Sequence, residues 1–235
     1  MLIFHKRVIL VTVATLLGLW VVACGGDKQT IVNPIRISFY GDSITAGDGL
    51  NPHPVVRMTE LAARKWIGVD YSQNGATVQD ATEGARKLPF EAWPKQMVAD
   101  DSAVIVIGYA GASAWIYPQR IREYELLLEQ MIRQAQATRK IVILKGMSHI
   151  ARPVPGLQPS EEPRILQAVD DFDAMTRTLA ERHGLLFLDL RSVAFNGASD
   201  ILDNIHPNQN YSDRLSAYCV AEINQLLASF VSKNQ

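Results

Sequence analysis

Five short runs of apolar and β-branched residues, at 35–40, 67–72, 103–109, 140–146 and 185–190, alternate along the chain with segments of another period. Runs of this length with little polar alternation predict strands buried on both faces. In 119–137, Ile121, Tyr124, Leu128, Met131 and Ala135 recur at spacings of three and four. The stripe of 161–183 is Ile165, Val169, Phe172, Thr176 and Leu179, and that of 212–231 is Leu215, Cys219, Ile223, Leu226 and Phe230. Such stripes predict amphipathic helices laid on a sheet. Strands alternating with helices predict an α/β fold with a parallel sheet between helical layers, and in such folds chemistry collects at the carboxyl ends of the strands.

The first residues have a different pattern. His5, Lys6 and Arg7 make a positive start, residues 8–20 an apolar run, and Val21-Val22-Ala23-Cys24 closes it. This is the layout of an export signal, and the run is short of the roughly 20 residues that span a bilayer. The closing tetrapeptide resembles a bacterial lipobox, which implies cleavage before Cys24, a lipid on that cysteine and a membrane tether. An uncleaved N-terminal anchor is the other reading. Gly25, where no aspartate stands, favours the outer membrane of a Gram-negative cell by the same resemblance. The expected organisation is a signal peptide at 1–23, a lipidated cysteine and polar tether at 24–33, and one domain at 34–235. A lipidated Cys24 leaves Cys219 without a disulfide partner, inert in its helical stripe.

Composition adds exclusions. The 235 residues are 48% hydrophobic and 20% charged, a globular balance. Their 23 basic and 24 acidic residues nearly cancel. No general field therefore draws the chain to nucleic acid or to an anionic surface.

The first strand ends in Gly41-Asp42-Ser43, followed by small residues and two further glycines. A serine in that place is either part of a turn or a nucleophile, and a nucleophilic serine needs a histidine base oriented by a carboxylate. Of five histidines, His206 stands in a turn just before the last helix, three residues after Asp203 and just before Pro207. That spacing lets the carboxylate reach Nδ1 while Nε2 faces outward, and Pro207 restricts the histidine's backbone. Asp-x-x-His alone is equally the pattern of an ordinary polar turn. With no second histidine or cysteine near it, a metal site is not indicated.

Taken together, Gly41-Asp42-Ser43-Ile44 near the start and Asp203-x-x-His206-Pro207 near the end resemble the SGNH (GDSL) hydrolase family, over about residues 35–231. The resemblance implies a flavodoxin-like three-layer α/β/α domain with a five-stranded parallel sheet. It implies cleavage of acyl esters without metal or organic cofactor, with Ser43 as nucleophile, His206 as base and Asp203 as its orienting acid. In that family the oxyanion meets three donors. Ser43 N–H and Gly75 N–H, in "YSQNGATV", are the implied first two. The third, an asparagine after the third strand, is absent: Ala110 or Ala112 stands there, depending on the alignment.

Asn74 and Ser113 are the candidates to replace it, and Asp42 is expected to brace the nucleophile turn. Ser113 is not a rival nucleophile, because Trp115 breaks the Gly-x-Ser-x-Gly pattern. The cleft is expected to be bordered by Tyr109, Ser113, Trp115 and His149. Tyr109, Trp115 and Tyr117 would stack on a sugar, and His149 or Arg152 would meet an anion. The expected function is a serine esterase of the cell envelope acting on short acyl esters, with acetylated glycans and lipids as candidate substrates. The alternative is a lipoprotein on the same fold that holds an acylated or glycan ligand without cleaving it.

Overall fold

A computed structural model of the chain describes residues 34–84, 91–154, 156–203 and 205–233. Residues 1–33, which carry the export-signal, Cys24 and tether readings, lie outside them.

Five parallel strands form one sheet: β1 (Ile35–Gly41), β2 (Trp66–Asp70), β3 (Val104–Gly108), β4 (Ile141–Lys145) and β5 (Leu186–Leu188), in the order β2-β1-β3-β4-β5. β3, at the centre, is buried at every residue, as a strand covered on both faces must be. The fifth strand is shorter than its apolar run. Its partner β4 ends at Lys145, opposite Leu188, and residues Leu190–Ser192 turn into a 3-10 helix.

On one face lie α3 (Val78–Glu83), α4 (Trp93–Ala99), α5 (Ala110–Ile116), α6 (Ile121–Ala137) and α7 (Glu162–His183), around a core that includes Trp93, Leu128 and Phe172. The other face carries α2 (Pro54–Leu61) and α8 (Gln209–Lys233), packed on Ile37, Phe39, Val106 and Ile143. The fold is therefore the expected three-layer α/β/α arrangement with a five-stranded parallel sheet. The α7 stripe is buried throughout. The α8 stripe is buried as far as Ile223, whereas Phe230 is exposed. The helix rises about 1.5 Å per residue and outruns the strands beneath it.

Helices α2 to α5 did not show in the periodicity because each is too short to repeat a stripe. Local chemistry starts two of them. Pro54 opens α2 without needing its missing N–H. Thr77 and Asp80 form a reciprocal capping box at α3. α8 begins earlier than its stripe because Asn208 Oδ1 accepts the Tyr211 N–H at 3.0 Å. No helix among the described residues is long and apolar enough to cross a membrane.

Candidate active site

The strand order reverses its direction of growth between β1 and β3, so the loops leaving these strands diverge and open a crevice. Ser43 stands there, at the first position of the short helix α1 (Ser43–Ala46). Asp42 caps this turn: its Oδ1 accepts the Ile44 N–H at 3.1 Å, and its Oδ2 reaches the next loop to accept the Ala112 N–H at 3.0 Å. A residue 2% exposed thus ties the serine turn to the start of α5. Gly47 ends α1 in the left-handed region at φ 65°, and its N–H returns to Ser43 O at 2.8 Å. His53 holds the same helix end. Its Nδ1 lies 3.0 Å from Ala46 O and 3.1 Å from Gly47 O, and since carbonyls only accept, Nδ1 carries the proton.

The far end of the chain folds back to this turn. An isolated antiparallel bridge joins Ile201 to Pro207, with Leu202 N–H donating to His206 O at 2.8 Å and Asn208 N–H to Asp200 O at 2.7 Å. Buried Asp200 is held in turn by Arg214 of α8 at 2.6 Å. Inside this closed turn Asp203 Oδ1 accepts the backbone N–H groups of Ile205 and His206, each at 3.0 Å. Its Oδ2 lies 2.7 Å from His206 Nδ1, and His206 Nε2 lies 2.7 Å from Ser43 Oγ.

The proton positions follow from the partners. A carboxylate only accepts, so Nδ1 carries hydrogen and Nε2 accepts from the serine hydroxyl. Burial raises the Asp203 pKa, but the His206 backbone N–H, the imidazole and the Ile205 N–H outweigh it and hold the carboxyl at about 2. Asp203 is therefore ionised throughout the neutral range.

Two residues that line the crevice each carry a backbone donor. Ser43 N–H is at the open end of α1, and Gly75 N–H is in the turn closed by Ala76 N–H to Gln73 O at 3.1 Å. Neither N–H has an acceptor among the described residues. Gly75 has φ 66°, a conformation that favours glycine, and Gln73 N–H fixes the turn to Gly41 O at 2.9 Å. Asn74 and Gly75 both line the cleft.

The cleft itself has a volume of about 270 Å³ and contains Ser43, His206 and Asp203. Its apolar walls are Ile44, Trp115, Ile116, Met147, Ile150 and Ile205. Of these only Trp115 was anticipated from the sequence.

Three residues expected at the cleft are elsewhere. Tyr109 is 4% exposed and packs with Ile105 and Ile107 on the face beneath α3 and α6. Burial, and then the charge of Asp42, raises its phenol pKa. Ser113 is buried and accepts the Val78 N–H at 3.2 Å, so it binds α5 to α3 and offers no donor to the cleft. His149 stacks on Phe195 at 5.0 Å, with Nε2 2.9 Å from Arg191 O. Its neighbour Ser148 lines the cleft instead. Tyr117 and Arg152 are also occupied, under the Arg120 guanidinium and beside Asp170 respectively.

Ala110 and Ala112 begin α5, so neither alanine restores a side-chain donor. Among the described residues no group of three or more His, Cys, Asp or Glu is placed to hold a metal ion.

Solved structures share this fold. LAE5, an alpha/beta hydrolase enzyme from the metagenome of Lake Arreo, superposes with a TM-score of 0.62 at 21% identity, covering 80% of this chain and 94% of that one. The lipase/acylhydrolase from Enterococcus faecalis gives 0.62 at 19%, covering 80% and 95%. Axe2, an acetylxylan esterase from Geobacillus stearothermophilus, gives 0.63 at 20%, covering 80% and 94%. At these identities the likeness is one of fold. No curated protein sequence matches the chain. The model of one family, however, runs from the middle of β1 through the serine turn and the Asp203–His206 turn into α8. By that match, over residues 39–211, the chain belongs to the GDSL-like Lipase/Acylhydrolase family of serine hydrolases.

Proposed function

We propose that the protein is a serine esterase of the cell envelope that hydrolyses short-chain acyl esters. The observation that carries this reading is the hydrogen-bonded chain from Ser43 through His206 to Asp203, 2.7 Å at each step, opening on an apolar-walled cleft. Ser43 Oγ attacks the acyl carbonyl carbon while His206 Nε2 takes its proton. Asp203 keeps the imidazole in the tautomer that can accept and stabilises the imidazolium. The Ser43 and Gly75 N–H groups meet the oxygen on which negative charge develops. The tetrahedral intermediate collapses as His206 returns the proton to the leaving alcohol. A water, deprotonated by the same nitrogen, then releases the acid from the acyl-serine.

A cleft of about 270 Å³ is just below the range for ligand sites, roughly 300–1,000 Å³. That size suits a short acyl chain, and the walls favour methylenes over an acetyl methyl alone. Each buried methylene contributes about 0.8 kcal/mol. On p-nitrophenyl esters, kcat/KM is expected to rise roughly fifteenfold from acetate to butyrate, then to fall once the chain outgrows the cleft. A flat series, or no hydrolysis of any member, contradicts the reading. The second outcome would favour the ligand-holding alternative, which the lack of the family's asparagine at Ala110 or Ala112 supports.

The envelope location rests on the sequence of residues 1–24. A lipid on Cys24 would tether the domain, and the outer membrane, facing the periplasm, is the proposed place. Metabolic labelling with a clickable palmitate is expected to mark the wild-type protein and not Cys24→Ala. Equal labelling of both would remove the anchor.

A further inference from the structure

Beneath the serine turn, the last row of the sheet is nearly bare of side chains. Gly41 of β1 stands opposite Gly108 of β3, and Lys145 of β4 is one residue beyond the register pair Ile107 and Leu144. All three project to the face that carries α8, in phase with Phe39, Val106 and Ile143. Thr45 fills the space over Gly41, and Lys145 lies over Gly108. A Cβ built on Gly108 would stand 2.5 Å from Lys145 Cε and 3.3 Å from its Nζ. The end of the side chain thus lies across β3, toward the serine turn.

Lys145 is 6% exposed, and no acceptor among the described residues bonds its ammonium. A buried cation without a partner costs several kcal/mol unless an opposite charge compensates it. Asp42 is 2% exposed, and among the described residues its carboxylate is bonded by the Ile44 and Ala112 N–H groups and makes no ion pair. The two residues share the lining of a small void with Ala110, Gly111 and Met147. Asp42, Ile44, Gly111 and Met147 line both this void and the catalytic cleft, so it lies directly under the cleft floor. Thr45 Oγ1, folded over Gly41 in the same row, is also buried without a partner.

Taking the esterase reading above as its basis, we propose that Lys145 is a positioning residue of the site. Its buried ammonium, laid over Gly108, holds the Asp42 carboxylate in the bridge between the serine turn and α5. Asp42 in turn fixes the direction of the Ser43 N–H and the floor formed by Gly111 and Ala112. Two further facts agree. Burial lowers the Lys145 pKa while Asp42 raises it, and the other group facing the ammonium is the thiol of Cys219 on α8. That thiol is pushed up to about 12 by burial, so it stays neutral and leaves Asp42 as the facing charge.

The test is a double-mutant cycle of Lys145→Met and Asp42→Asn, read by ester hydrolysis and by thermal unfolding. Misplacing the serine turn affects turnover more than binding. Lys145→Met is therefore expected to lower kcat about tenfold or more with KM within about twofold of wild type. In the Asp42→Asn background, which has no carboxylate to hold, the same substitution should change kcat by less than about twofold. An equal loss in both backgrounds, or no loss beside Asp42, overturns the proposal.

If the wild type hydrolyses no ester, the functional reading fails while the coupling is still decided by stability. Lys145→Met should then shift Tm at least about 2 °C less favourably beside Asp42 than beside asparagine. Equal shifts overturn it. Should Lys145→Met not fold, Lys145→Gln enters the same cycles with the same outcomes.

Discussion

Ser43→Ala is expected to lower ester hydrolysis about 10⁴-fold or more while leaving Tm within about 2 °C of wild type. The activity loss is large because, among the described residues, Ser43 carries the one hydroxyl bonded to a histidine: its Oγ is 2.7 Å from His206 Nε2, and Ser113 is buried against α3. Stability is spared because the lost bond joins two half-buried residues, and alanine keeps the N–H that opens α1. His206→Ala should cost a similar amount, and the double variant little more than either single one, since the residues act as a unit. Residual hydrolysis would come from the backbone donors and from binding alone. More than about 1% of wild-type turnover in Ser43→Ala would mean another nucleophile, and would remove the assignment.

The residues of this site differ in how far the sequence disclosed them. The strands were legible because a sheet covered on both faces needs uninterrupted apolar runs, and the fully buried β3 is the plainest of them. Ser43 and His206 were legible through their places at the end of β1 and just before α8. Asp203 was legible because a three-residue spacing can close inside one turn. The cleft walls were not. Ile44 comes from the short helix α1 and Met147, Ile150 and Ile205 from two loops far apart in the chain, and an apolar residue in such a place carries no mark of the wall it will join.

Tyr109 was misplaced for a readable reason. The two-residue alternation that puts Ile105 and Ile107 under α6 puts Tyr109 there too, away from the crevice. His149 has no such signal, because its position depends on Phe195 and Arg191, which arrive more than forty residues later. Lys145 looks in sequence like the polar end of a strand. Only the pairing of β4 with β3 shows that a glycine stands beside it and that its side chain must lie across the sheet.

The same glycine row sets the second large effect. Gly41→Ala is expected to lower Tm by roughly 3–10 °C and kcat by about 10²-fold. Two opposing terms decide the sign. Gly41 lacks the positive φ that would strain an alanine, so the substitution reduces unfolded-chain entropy and alone would stabilise by about 0.4–1 kcal/mol. Against this, its Cβ would stand 2.8 Å from Thr45 Cβ and 2.9 Å from Gly108 O. Overpacking of this kind costs about 1–3 kcal/mol, so the clash wins.

The displaced atoms are those that aim the serine. Thr45 N–H bonds to Asp42 O at 3.0 Å, and Asp42 N–H to Gly108 O at 3.2 Å, so relief of either contact moves the turn. Thr45→Ala in the same chain should restore part of the lost stability by removing the side-chain contact. It should not restore all of it, because Gly108 O is backbone and cannot swing aside. Full recovery of both Tm and kcat would show that Thr45 alone required the glycine. No loss in Gly41→Ala at all would mean that the serine turn is not held against β3, and that the bare row beneath it has no part in placing Ser43.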